Sequence, residues 1–213
     1  MSIPLYFIAK RKELVTLPNA RPLPYSYGMS KDGSLRTPEI GWAGTPIILD
    51  DAYTGKLTPS FMERLKLACT NGCILDFERP GNSFHMALIR ALEAWELSPY
   101  WIPEAFAPHS KKATVIVSST LPHNSWKMYC KCQQQKYTNR WALELQPINC
   151  IRKLPQAQKD RTFYLEESTC NCRIRGNEIT YYDTGESLLR KLHIAESFGC
   201  QGAIALWNEW PKK

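Results

Sequence analysis

The sequence predicts an α/β protein built on a parallel sheet, and three observations carry that prediction. Short apolar runs alternate with stretches of helical periodicity along the chain. Acidic and aromatic residues gather where the apolar runs end, which is where parallel-sheet proteins place their chemistry. No glycine-rich phosphate loop follows any of the runs. The alternation fits an eight-stranded barrel and also a doubly wound open sheet, and the missing loop counts against the second.

The elements follow in order. PIILDD (46–51) is a short strand ending in acids. TPSFMERLKLACTNG (58–72) begins with Thr58 as N-cap and Pro59 at the first helical position. It carries Phe61, Leu65 and Cys69 on one stripe and stops at Asn71-Gly72. The strand GCILDFE comes next, then a second helix over 82–97 with Phe84, Leu88, Leu92 and Trp95 at helical spacing. ATVIVSS (113–119) is a buried strand, and RWALELQP (140–147) a further one. DTGESLLRKLHIAESFG (183–199) reads as a helix with a capping signal in Asp183 and Glu186 and a terminator in Gly199. GAIALWNEW (202–210) is the last strand.

Composition narrows the function classes. A chain of 213 residues with 44% hydrophobic and 22% charged residues suits a single globular domain with a sizeable core. No apolar run approaches membrane-spanning length. In MSIPLYFIAKRKEL the basic residues follow the apolar stretch, the wrong order for a signal peptide, so a cytoplasmic or spore-associated location is expected, or a secreted one if a leader has been removed. A net charge of +7 invites nucleic acid as a partner, but the 27 basic residues are dispersed and accompany no nucleic-acid motif. Of the eight cysteines, Cys69, Cys73, Cys150 and Cys200 lie in apolar surroundings and read as reduced core residues. The C-x-C pairs Cys130/Cys132 and Cys170/Cys172 are open to disulfide or metal, although no pair has the CxxC spacing of a zinc site. No metal ligand set and no cofactor motif is read from the chain.

NGCILDFERP (71–80) holds the most informative residues. A strand repeats every two residues, so Ile74, Asp76 and Glu78 share one face and Leu75 and Phe77 the other. Two carboxylates on one face at a strand's end are costly to bury unless something uses them.

This stretch resembles the D-G-x-D-x-D-x-E signature of the family-18 glycoside hydrolases, the chitinase-like enzymes. Glycine falls at Gly72, the last aspartate at Asp76, the aromatic at Phe77 and the glutamate at Glu78. YSYGMSKDGSL (25–35) looks like that family's second strand and following loop, and residues 179–210 look like its closing helix and strand. The form is closest to compact bacterial members linked to spore cortex and wall glycans. The chain departs from the signature at Asn71 and Ile74, where the family has aspartates, and RWALELQP offers Glu144 and Gln146 in place of a Tyr-Asp pair.

The resemblance implies a compact, single-domain TIM-type (β/α)8 barrel spanning 1–213, and an enzyme of the glycoside hydrolase class. It implies retaining, substrate-assisted cleavage of a β-linked N-acetylated glycan, of peptidoglycan or chitin type, without a cofactor. Glu78 would protonate the leaving oxygen, and Asp76 would hold the substrate acetamide. Trp207 would floor the sugar, with Tyr25, Tyr27, Glu144 and Gln146 lining the cleft. Two adjacent carboxylates cannot both ionise easily, so Glu78 is expected to hold the proton while Asp76 stays charged. Ile74 and the missing Tyr-Asp pair motivate the alternative, an inactive barrel that binds glycan or protein.

Overall fold

The computed structural model of the chain describes residues 3–9, 20–24, 28–29, 35–36, 44–50, 57–78, 83–120 and 124–211. The chain divides into two compact units, Tyr6–Val117 on one hand and Met1–Leu5 with Ser118–Lys213 on the other. Each has its own logic.

The first unit carries β1 (Leu5–Ala9), β2 (Ala20–Pro24), β3 (Gly28–Met29), β4 (Leu35–Arg36) and β5 (Ile47–Asp50), then α1 (Pro59–Ala68) and β6 (Cys73–Asp76). It continues through α2 (Ser83–Glu93), β7 (Tyr100–Pro103) and β8 (Thr114–Ser118). β5, β6, β7 and β8 lie side by side in chain order, each pair parallel, with Leu49 beside Leu75 and Ile74 beside Trp101. α1 and α2 sit in the first two crossovers and a short 3-10 helix, Glu104–His109, in the third, the usual way of joining parallel strands. β2 is the neighbour of β1, and β3 pairs with β4 as a short antiparallel ladder.

Local chemistry sets these boundaries. The Thr58 hydroxyl accepts from the Phe61 N–H at 3.2 Å, and Pro59 opens α1 where no N–H is needed. Phe61 and Leu65 then face the core with Leu88, Leu92, Leu75 and Phe77. Each such side chain contributes roughly 1.5–3 kcal/mol on burial. Gly72 ends the turn after α1 with φ of +100°, and a Cβ there would collide with Pro99. Its carbonyl accepts from Ile47 N–H at 3.1 Å while the Pro99 carbonyl accepts from Cys73 N–H at 2.7 Å. Gly72 therefore fixes where β6 starts.

The second unit carries α3 (Trp126–Tyr137), β9 (Trp141–Glu144), β10 (Asn149–Leu165), β11 (Cys170–Tyr182), α4 (Gly185–Glu196) and β12 (Cys200–Leu206). β9 and β12 are parallel, with Trp141 beside Cys200 and Leu143 beside Ala203. β10 and β11 form a long antiparallel ribbon. Sequence patterning did not resolve it, because β10 is mostly exposed and polar and lacks an apolar alternation. α4 is capped by Thr184, not by Asp183 as the sequence reading had it. Thr184 Oγ1 accepts from Ser187 N–H at 3.2 Å, and Ser187 Oγ accepts from Thr184 N–H at 2.9 Å. Gly199 closes the segment at φ +79°, where a Cβ would meet the Asn139 side chain.

The fold is thus α/β with parallel strands separated by helices. A closed ring of eight strands is not among the described pairings. Among the described residues, no helix is long and apolar enough to cross a membrane.

Candidate functional site

β6 delivers the signature carboxylates. Leu75 and Phe77 point into the core shared with α1 and α2, while Ile74 is fully buried outside that cluster. Phe77 is clamped by His85 of α2, whose ring stacks on it at 4.1 Å, and by the edge of Phe106 at 5.5 Å. This anchor sits between Asp76 and Glu78 in sequence and holds the strand end in place. Asp76 is half-buried and lies beside Asp50 in the backbone register, and Glu78 is exposed. His85 is a packed core residue.

Three other predicted residues belong to the second unit. Glu144 ends β9, and Gln146 Nε2 donates to Glu144 Oε1 at 2.6 Å, so this pair is brought together. The buried Ser119 hydroxyl holds the Gln146 backbone, accepting from its N–H at 3.0 Å and donating to its carbonyl at 3.2 Å. Trp207 follows β12 and is half-buried. Tyr25 and Tyr27 lie outside the described residues.

A charged cluster missed by the sequence reading sits between β11 and α4. Asp183 Oδ2 accepts from Lys191 Nζ at 2.7 Å and from Ile148 N–H at 3.1 Å, and Oδ1 accepts from Ser187 Oγ at 2.8 Å. Both charged side chains are essentially excluded from solvent. The Lys191 ammonium also lies 5.4 Å from the Trp126 ring centroid, and Trp126 Nε1 donates to the Lys191 carbonyl at 2.9 Å. Buried, ion-paired and accepting three hydrogen bonds, Asp183 is a structural acid. One signal could have exposed it. Lys191 sits between Leu188 and Leu192 on the apolar stripe of α4, where an unpaired lysine would be costly.

The cysteines are all free thiols. Cys170 and Cys172 share one buried face of the ribbon, packed with Ile174 and Ile179. Burial pushes the Cys170 thiol up to about 12, with Cys172 adding to the shift. Burial likewise raises Cys200 to about 12, although its contacts with the Gly202 and Leu143 backbone pull the other way. Such thiols are neutral and poor nucleophiles near pH 7. Among the described residues, no group of three or more His, Cys, Asp or Glu side chains is placed to hold a metal ion.

No family model matches the chain, and no curated protein does. Solved structures do. The spore cortex-lytic enzyme SleL of Bacillus megaterium matches with a TM-score of 0.55 over 95% of this chain and 70% of that chain, at 10% identity. The chitinase-like agglutinin RobpsCRA of Robinia pseudoacacia matches at 0.45, over 78% and 75%, with 15% identity. A GH18 chitinase from Cycas revoluta in complex with (GlcNAc)3 matches at 0.44, over 76% of each, with 11% identity. The likeness to SleL extends over nearly the whole chain and is one of fold.

Proposed function

We propose that the protein is a family-18-like glycan hydrolase, folded as a single (β/α)8-type barrel and acting on a β-linked N-acetylated wall or cortex polymer. The observation that carries this reading is the end of β6. A parallel strand finishes in Asp76, is pinned by Phe77, and presents Glu78 to solvent. The resemblance of NGCILDFE to the family signature and the likeness of fold to a cortex-lytic enzyme both support it. In this reading the substrate's own acetamide oxygen attacks the anomeric carbon, and Glu78 gives its proton to the departing glycosidic oxygen. Asp76 holds the acetamide N–H and balances the cationic ring formed on the sugar. Trp207, Glu144 and Gln146 are the sugar contacts that the resemblance assigns to the second unit, with Tyr25 and Tyr27 as further candidates. A cytoplasmic or spore-associated site of action belongs to the same reading.

A second reading has one specific observation behind it. Ile74, fully buried, occupies a position where the signature carries an acid, so the proton-sharing pair of the family is incomplete. A glycan-binding barrel without turnover would tolerate that change. The two readings separate in one experiment: incubation with a chromogenic N-acetylglucosamine oligomer, comparing the protein with Glu78→Gln. Turnover that vanishes in the variant while binding persists supports hydrolysis. Binding without turnover in both proteins rejects it.

A further inference from the structure

The β10–β11 ribbon has two chemically different faces. One carries Cys170, Cys172, Ile174 and Ile179 as a small core. The other carries Arg173, Thr180 and Tyr182, which line a cavity of about 450 Å³ with Asn149, Glu209, flanking prolines and Asp183, whose charge Lys191 already balances. Every lining residue belongs to the second unit, and Glu144, Gln146 and Trp207 are not among them.

The cavity depends on a fault in the ribbon. Arg173 and Thr180 are an odd number of residues apart, so in an unbroken strand they would point to opposite faces. The ladder shifts register on both sides of the Gln158–Gly176 pair. Gly176 takes a left-handed φ of +55°, and its N–H donates to Asp160 Oδ1 at 3.0 Å. The shift brings Arg173 round to the side of Thr180 and Tyr182.

The chemistry of the lining selects a ligand. Among the described residues, neither Arg173 nor Glu209 has an ion-pair partner. A guanidinium and a carboxylate left open in one cavity call for a ligand bearing an acid at one end and hydrogen-bond donors at the other. The Tyr182 ring and the prolines offer apolar surface to a sugar's C–H face, and Asn149 and Thr180 offer hydrogen bonds to hydroxyl or acetamide groups. We infer that this cavity is a binding site for a carboxylate-bearing amino sugar of the muramic-acid kind, with Arg173 as the acid-recognising residue. The acid-recognising arginine is read from the second unit alone, and the choice of a muramic-type sugar rests on the wall-glycan reading above, though not on hydrolysis at Glu78.

The test is calorimetric titration of the full chain with three probes: N-acetylglucosaminyl-N-acetylmuramic acid, neutral N,N′-diacetylchitobiose, and D-lactate. The muramyl disaccharide should bind about tenfold tighter than chitobiose, the worth of one charge-assisted contact at a partly open site. D-lactate alone should not bind measurably. Arg173→Ala, an exposed change on the ribbon, should abolish the preference and leave chitobiose binding unaltered, with an unchanged near-ultraviolet circular dichroism spectrum. Glu78→Gln should keep the parent's preference for the muramyl disaccharide over chitobiose, whatever happens to turnover. Equal affinity for the two disaccharides, no binding of either, lactate binding as tight as the disaccharide, or a preference that survives Arg173→Ala would each overturn the assignment.

Discussion

Two acids stand at the ends of two strands and meet opposite fates. Asp183 follows β11 and is locked by Lys191, Ser187 and the Ile148 N–H, out of reach of solvent. Asp76 ends β6 half-buried, and Glu78, two residues on, is exposed. The difference teaches what makes a strand-end carboxylate available for chemistry. Asp183 uses its carboxylate to hold α4 against the ribbon, whereas Glu78 is exposed and directly follows the packed Phe77.

The largest expected effect comes from breaking the locked acid. Lys191→Met leaves the Asp183 carboxylate buried without its cation, which should cost about 3–5 kcal/mol. A lowered urea midpoint at unchanged slope is the readout. The double variant Lys191→Met, Asp183→Asn should recover much of that loss, because no buried charge remains and the amide oxygen can still accept from the Ile148 N–H. If the single variant costs less than about 1 kcal/mol, Asp183 is not a structural acid.

Next in size is Gly72→Ala, which tests the positioning of β6. The residue would take φ of +100° and press against Pro99, a combination worth about 2–4 kcal/mol. The loss should appear in both stability and any turnover, since the strand carrying Asp76 starts at this turn. Lys191→Met, read at a temperature where the chain is still folded, should leave turnover much less affected.

These two regions were not equally legible in the sequence. The helix and strand around β6 could be read because each signal is local: Thr58 and Pro59 at one end of α1, Gly72 at the other, and apolar alternation through Phe77. Asp183 was read as a cap because Asp followed by a helical stripe is the ordinary signature. Its real partner, Lys191, lies two turns along α4, and nothing local ties the two together. The ribbon was missed for a related reason. Its apolar residues are split by register shifts at Gly176, so no regular period of two survives to be seen. Long-range pairing and broken periodicity hide from a linear reading.

Alkaline pH gives a third, smaller test, one that acts on the second unit. Cys200 is neutral when folded, with its thiol raised by burial to about 12 from the model-peptide value of 9.0. A raised folded value means the associated stability is intact below about pH 9 and is lost as pH climbs towards 12. In that window the unfolded thiol ionises and the folded one does not. The slope should be about 1.4 kcal/mol per pH unit for this thiol. Cys200→Ala should flatten the alkaline limb of a stability–pH curve by that amount. An unaltered limb would mean the thiol ionises in place.

The smallest effect on stability belongs to Glu78 itself, and it is the sharpest half of the comparison. Glu78→Gln keeps the shape of an exposed side chain and removes only its charge, so unfolding free energy should move by less than about 0.5 kcal/mol. Under the proposed mechanism the amide cannot give up a proton to the glycosidic oxygen. Turnover should then fall at least a hundredfold, the lower range for loss of a general acid. Binding of an N-acetylglucosamine oligomer should stay within a few fold of the parent. A stable, binding-competent and inactive variant is the signature of an acid kept for chemistry. If Glu78→Gln instead destabilises the fold as Lys191→Met does, Glu78 belongs with Asp183 among the structural acids, and the contrast between the two strand ends collapses.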